Sequence, residues 1–475
     1  MRQLKNLIFA FSILTLLTVG CNTNQSKKIK IETDQNGVAI LSDSIIENLV
    51  RRSYQYIALY NVNNKFAMTQ GGWNTIMRDT SAKDHTMTDI ARPNNDSYYT
   101  SIMADLRMEP IIISMPAFNS DYVSLMVTAY DHYVNIPKST RLGDFSKPEK
   151  LLLYSDRTEG YEGEPIEGVD VIFKTSGDFV SAIFRITPHI NEPKRYQAIL
   201  KGISELNFQS LSEFQGKEPK KGNTVKFPKI GKTDADIFEY NFLEVMQFIM
   251  NHVDFDPNNE MDQNVLIAFK PLGIEPGKKF DPQTALKLDG KKFREIADKL
   301  KDENLALMKD LKKVQKLVPM MFQPKGKTTL EAILNVSIVG PIGVPMEEAV
   351  YPPVNSNDGL TLNAMNDYII KMSKDELPPS NAFWSLTLYD NKNGFFIPNE
   401  HYKYSVGKNA GYKLNEQGGI EIYVAVEKPE GVPEENWLPI NRQDQDLDII
   451  LRNYVPDLGK LKDWKTPVAV KIENE

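Results

Sequence analysis

The stretch from Phe383 to Asn399 constrains the fold more tightly than any other part of the chain. Trp384, Leu386 and Leu388 alternate with Ser385, Thr387 and Tyr389. This period of two places an apolar row on one face of a strand and a polar row on the other. Asn393-Gly394 follows, a dipeptide suited to a type I′ hairpin turn because both central residues need positive φ. The pattern predicts a strand, a tight turn and a returning strand. Further alternation at Ile420, Ile422, Val424 and Val426, and at Leu447, Ile449 and Leu451, makes the last quarter β-rich. Val468, Val470 and Ile472 predict a last strand.

The first half alternates helix and strand. Ser42 or Asp43 can cap a helix carrying Ile45, Ile46, Leu49, Val50, Ile57 and Tyr60 at helical spacing, interrupted at Gly71-Gly72-Trp73. From about Tyr98 to Ile186 short strands dominate: Ile111 to Ile113, then Val123, Leu125 and Val127. Val169 to Phe173 and Phe179 to Ile186 predict a hairpin about Ser176-Gly177-Asp178. Such spacing indicates an antiparallel sheet, most simply in a sandwich. Tyr196, Ile199, Leu200, Ile203 and Leu206 predict a closing helix. Lys217 to Lys232, rich in Lys, Pro and Gly, reads as an exposed connection. Helices are expected over Asp236 to Val253 and Lys291 to Leu317.

At 475 residues the chain exceeds a single core, and two or three domains are the default. The net charge of −7 argues against a nucleic-acid partner, which would want a basic face. At the N-terminus, Arg2 and Lys5 precede an apolar run from Leu7 to Val19, too short to span a bilayer comfortably. It ends at Leu17-Thr18-Val19-Gly20-Cys21, which resembles a bacterial lipobox. Cys21 is therefore expected to carry a lipid, with residues 1–21 as signal peptide and 22–35 as a polar tether. It is also the only cysteine, so no disulfide can form within the chain.

The usual catalytic signatures are absent: there is no G-x-S-x-G elbow and no H-E-x-x-H helix. Gly231-Lys232-Thr233 and Gly326-Lys327-Thr328 imitate the end of a P-loop, with Lys226 and Met321 where its first glycine belongs. The histidines His85, His132, His189, His252 and His401 stand singly, against a transition-metal site. A hard-cation site on Asp96, Asp131 or Asp358 has no calcium-loop pattern behind it, and no metal or cofactor is expected. His132 is expected to be a hydrogen-bonded, half-buried structural histidine.

The densest polar constellation runs from Arg92 to Tyr99. Asn and Asp there can cap their own loop. They can also form a ligand site at the rim of a rigid scaffold. The expected ligand-binding set is Arg92, Asn94, Asn95, Asp96 and Tyr99, joined by Tyr130 and Asp131. Asp96, Asp131 and Tyr99 are the candidates for acid–base catalysis. Trp384, Tyr389, Tyr404 and Trp437 are expected to be core more than binding platform.

Arg92-Pro93-Asn94-Asn95-Asp96-Ser97-Tyr98-Tyr99, Asp105-Leu106, Pro110 and Tyr122 to Tyr130-Asp131 resemble the N-terminal module of a bacterial two-module family, catalogued as domains of unknown function 1254 and 1214. Asn357-Asp358-Gly359, the Phe383 strand, Pro398-Asn399, Tyr404-Ser405-Val406-Gly407 and Asn436-Trp437-Leu438-Pro439 resemble its C-terminal module. Ser97 and Tyr98 replace the Thr and aliphatic residue usual there. The resemblance implies an α+β, multi-domain chain: two mainly antiparallel, jelly-roll-like β-sandwich modules joined by a helical middle segment, often as a homo-oligomer. The expected boundaries are 36–215, 216–350 and 351–475. The expected function is that of a lipid-anchored cell-envelope protein, periplasm-facing, binding a small molecule or glycan in a polar, aromatic cleft. The alternative is a metal-independent carboxylic ester hydrolase using Asp and Tyr.

Overall fold

The computed structural model describes residues 31–88, 91–220, 225–308 and 310–473. The signal peptide, the Cys21 lipidation site and most of the tether lie outside the described residues. Within them the chain is a mixed α+β protein with several mainly antiparallel sheets and a helical middle region.

In the N-terminal half, Val180, Ala182, Phe184 and Ile186 turn to the core from the central strand Phe179–Ile186. That strand pairs antiparallel with Tyr98–Asp105 on one side and Val123–Ala129 on the other. Thr75–Arg78 and Val134–Ser139 complete the five-stranded sheet. A four-stranded sheet, ordered Val171–Lys174, Glu149–Tyr154, Ile111–Met115 and Asn207–Ser210, faces it. Ile111, Ile113, Leu151 and Leu153 enter the same apolar core, covered by Ile199 and Ile203 of the helix Pro193–Glu205. Each such side chain, removed from water, contributes about 1.5–3 kcal/mol.

The hairpin expected at Ser176-Gly177-Asp178 does not form. Val171–Lys174 pairs parallel with Glu149–Tyr154, in a different sheet from Phe179–Ile186. The segment between them is a crossover between layers. It is fixed by the buried Asp178, whose carboxylate accepts hydrogen bonds from Ser155, Arg157 and His252.

The C-terminal half repeats the arrangement. Asp446–Pro456 lies between Ala349–Val350 and Ser380–Asp390, with Ser405–Gly407 beyond and Leu362–Asn363 also on Asp446–Pro456. Trp437–Pro439, Ile420–Ala425, Tyr368–Met372 and Ala469–Lys471 form the facing sheet. Trp384, Leu386 and Leu388 meet Ile370, Ile422 and Leu451 between the two. In the last strand Ala469 is buried while Val468 and Val470 are exposed, so its inward face is offset by one from the expected alternation.

The expected type I′ turn is also absent. Gly394 is left-handed, at φ 71°, but Asn393 is not among the residues with positive φ. The Asp390 carboxylate takes the N–H groups of Asn393 and Phe395, at 2.6 and 3.0 Å, and sets a wider turn. The strand that returns along Ser385–Thr387 is Ser405–Gly407.

The helix Asp43–Thr69, capped by Ser42, packs with the helical middle region around Val50, Ile57, Phe238, Met246 and Phe293. The predicted long helices are broken. Asp234–Tyr240 and Phe242–Met250 meet at Asn241, and Gly290–Leu307 is followed by Leu311–Leu317, which Asp310 caps. No helix among the described residues is long and apolar enough to cross a membrane.

Candidate functional site

The polar face of Ser380–Asp390 determines where the Arg92–Tyr99 segment goes. Ser385, Thr387 and Tyr389 point away from the C-terminal core and meet the outer face of the five-stranded sheet. Ser385 Oγ donates to Asp96 Oδ2 at 2.5 Å, and Tyr389 Oη donates to the Pro93 carbonyl at 2.7 Å. Asn94 Nδ2 donates to Tyr454 Oη at 2.7 Å and to Tyr99 Oη at 3.3 Å, while Asn94 Oδ1 accepts the Asp96 N–H. Arg452, buried beneath, donates to Thr387 Oγ1, Tyr389 Oη and the Arg92 carbonyl. Phe383 stacks on Tyr454 alongside, and Tyr122 lies tilted against Tyr454, so the contact is part polar and part aromatic.

This arrangement is a seam between the two halves. Asp96 is 2% exposed, and burial raises its pKa against the opposing pull of Arg452 and the Ser385 hydrogen bond. Arg92 does not pair with Asp96. Its Nε reaches Asp448 Oδ2 at 2.6 Å, its N–H donates to the Gly394 carbonyl, and its φ is 54°. Asn95 Oδ1 is buried without a hydrogen-bond partner. Arg92, Asn94, Asn95, Asp96 and Tyr99 are thus held together.

Tyr130 and Asp131 are held elsewhere. Tyr98–Asp105 and Val123–Ala129 both run antiparallel to Phe179–Ile186 and therefore parallel to each other. Tyr98 and Val123 share a level, and the end of the second strand is about 20 Å away. There Asp131 is fully buried, 3.8 Å from Lys325 Nζ, with Oδ2 accepting no hydrogen bond. Burial, opposed by Lys325, lifts its pKa to about 7. His132 is more buried than expected, its ring nitrogens hydrogen-bonded with Ser337 Oγ and the Pro341 carbonyl. Among the described residues no group of His, Cys, Asp and Glu could hold a metal ion.

Tyr130 instead supports a cleft of about 870 Å³ beside the end of the first helix. Gly71 and Gly72, at φ 100° and 126°, turn the chain so that Trp73 lines it. The Trp73 indole stands 6.0 Å from Phe227 at an interplanar angle of 16°, and its N–H donates to Asn64 Oδ1 at 3.2 Å. Asn64 Nδ2 donates to Tyr130 Oη at 3.0 Å, which fixes the amide and hence the indole. Met68 and Phe208 add apolar wall, and Asp105, Arg107, Glu109 and Lys220 add polar groups.

The carboxylates of the cleft are already engaged. Asp105 accepts two hydrogen bonds from Arg107, and Glu213 accepts the Ser210 N–H. Glu109 accepts the Ser212 and Lys220 N–H groups; burial pulls its pKa up, but these bonds outweigh it and hold the acid below its usual range. The cleft therefore offers stacking and hydrogen bonding, with Asp105, Glu109 and Glu213 committed to the fold.

Trp73 and Phe227 stand outside the expected site. Phe227 lies in the stretch expected to be an exposed connection, yet Val225, Phe227 and Ile230 are partly buried against the helical core. Its sequence signal is the apolar spacing Val225, Phe227 and Ile230 within a Lys- and Pro-rich run. Trp384, Tyr389, Tyr404 and Trp437 are buried.

Two family models match the chain. One, described as protein of unknown function DUF1254, covers residues 73–208, and the other, protein of unknown function DUF1214, covers 348–458. The VPA0106 protein from Vibrio parahaemolyticus is similar in structure at 20% identity and a TM-score of 0.68, with 91% of this chain and 100% of that one covered. At that identity the likeness establishes a common fold. An uncharacterized protein from Burkholderia cenocepacia aligns over 90% of this chain and 88% of its own at 14% identity, with a TM-score of 0.45 that carries no argument. No curated protein matches.

Proposed function

This chain belongs to the family that joins a DUF1254 module to a DUF1214 module, and on that footing we propose that it binds a small molecule or glycan in the Trp73 cleft. One observation carries the reading: an open volume of about 870 Å³ beside an indole held at a fixed angle by Asn64 and backed by Tyr130. Ligand pockets of this size commonly combine an aromatic platform with a few convergent polar groups. A hydrolase of this acid–base kind would need a carboxyl of raised pKa in the pocket, and Glu109 there is lowered. Asp96 and Asp131, whose pKa values are raised, line the seam and the base of the helical core instead of the cleft. We therefore read the cleft as a binding site, with the hydrolase as the alternative.

Each module is read as a jelly-roll-like sandwich, its sheets rigid enough to hold the cleft wall. Lipid on Cys21 would anchor the protein in a bacterial envelope, facing the periplasm, and the tether would leave the cleft free in solution. Displacement of anilinonaphthalene sulfonate, a fluorescent probe with aromatic rings and one charge, by a library of soluble glycans and small metabolites tests the function. A displacing compound that is recovered unchanged supports binding. Conversion of that compound to product would favour the hydrolase.

A further inference from the structure

Arg185 is a buried cation with no ion-pair partner among the described residues. It is 3% exposed and sits in the central strand Phe179–Ile186, directly across from Tyr99 on one side and Ser124 on the other. Its guanidinium carbon stands 5.5 Å from the centroid of the Tyr99 ring, and Nη2 donates to the Gly343 carbonyl at 3.3 Å. Nη1 has no hydrogen-bond partner. Among the described residues, no carboxylate lies within ion-pair distance of it. Arginine does not shed its proton at any ordinary pH. A buried cation is costly unless a counter-charge is present, and one ring face with one carbonyl offsets only part of that cost.

The acids of the seam are turned to other partners: Glu348 Oε1 takes Arg141 and Ser139 while its buried Oε2 has no hydrogen-bond partner, and Asp96 accepts from Ser385 beside Arg452. The neighbouring hydroxyls of Tyr122 and Ser124, both buried, bond to nothing beyond each other. Arg185 also lines a small cavity of about 10 Å³, with Thr128, His132, Ser181, Ile183 and Gly343 around it. Burial holds the His132 pKa at about 4, and both ring nitrogens are already bonded, so His132 supplies no charge of either sign at neutral pH.

We propose that this cavity is a site for one monatomic anion of the halide class, held by Arg185 between the five-stranded sheet and the Gly343 segment. The volume admits about one water-sized particle. A polyatomic acid is too large for it, and a water molecule would leave the guanidinium charge uncompensated. The site lies in the seam and is independent of the Trp73 cleft.

Two measurements on the whole protein test it. Sodium gluconate, whose carboxylate is far too large for the cavity, is replaced by sodium chloride or bromide at constant ionic strength. Because an anion bound only by the folded state stabilises it by mass action, the melting temperature should rise and level off in wild type. The rise should be lost in Arg185→Met. Crystals of wild type grown in bromide should show an anomalous peak within hydrogen-bond distance of Arg185 Nη1, a readout that stands even if the variant does not fold. Equal melting temperatures in gluconate and halide, or a bromide-free density beside Arg185, overturns the assignment.

Discussion

Ser385 Oγ donates to Asp96 Oδ2 at 2.5 Å across a sequence separation of 289 residues, and the bond joins the N-terminal half to the C-terminal half. Asn409 completes the clamp, its Nδ2 donating to the Asp96 carbonyl and its Oδ1 accepting the His189 N–H. Lys408 pairs with Asp121 beside them. Removing the donor from a buried acid leaves an unmet acceptor, so Ser385→Ala should lower stability by about 1–3 kcal/mol. Asp96→Asn, which keeps the side chain's shape and an oxygen to accept from Ser385, should cost less than Ser385→Ala, because burial raises the Asp96 pKa and lowers the cost of giving up its charge. Denaturant unfolding of the two variants checks this. A larger loss for Asp96→Asn than for Ser385→Ala would show that the ionised carboxylate holds the seam.

Asp131 makes stability depend on pH. Its folded pKa of about 7 lies above that of a free carboxyl group, so its contribution is complete below about pH 4 and is lost as pH rises through 7. Between pH 5 and 8 this single group should weaken folding by on the order of 2–3 kcal/mol. Asp131→Asn, which cannot ionise, should flatten that slope, leaving Lys325 paired with Asp262 at 2.7 Å. Unfolding free energies at a series of pH values give the answer, and parallel curves for wild type and variant would contradict it.

The two halves of the fold were unequally legible in the residues. Alternation at Trp384, Leu386 and Leu388 identified the core face, and the opposite row Ser385, Thr387 and Tyr389 is the seam. Arg92 to Tyr99 does concentrate buried polar contacts, as its composition implied. Its partners Ser385, Tyr454 and Arg452 lie hundreds of residues away, and no local pattern names them. Tyr130 and Asp131 were misplaced because strand direction is set by the crossovers, and a parallel relation puts those residues at the far level. Gly394 announced a turn, but the Asp390 side chain, whose contacts a dipeptide rule does not weigh, decided its type.

That turn makes its own prediction. Gly394→Val should cost about 1–3 kcal/mol, because φ is 71° and a Cβ would meet Ala91 and Arg92 at 3.2 Å. Asn393→Ala should cost little by comparison, since Asn393 does not occupy the left-handed region. Thermal melts of the pair separate the observed turn from type I′, in which both substitutions would strain the backbone.

The anchoring reading is tested at Cys21. Cys21→Ser should move the protein from the membrane pellet to the soluble fraction after cell disruption, because one apolar run of the length Leu7 to Val19 is short for a stable span. Retention of the variant in the pellet would exclude lipid on Cys21 as the anchor.

The most direct test of the cleft is the equilibrium affinity for anilinonaphthalene sulfonate in wild type, Trp73→Ala and Asp96→Asn. Loss of the indole should weaken binding about tenfold, the order expected of an aromatic contact worth about 0.5–1.5 kcal/mol beyond its buried area. Asp96→Asn, in the seam and outside the cleft lining, should bind the probe as wild type does. Unchanged affinity in Trp73→Ala, with binding lost in Asp96→Asn, would place the ligand in the seam and contradict the cleft.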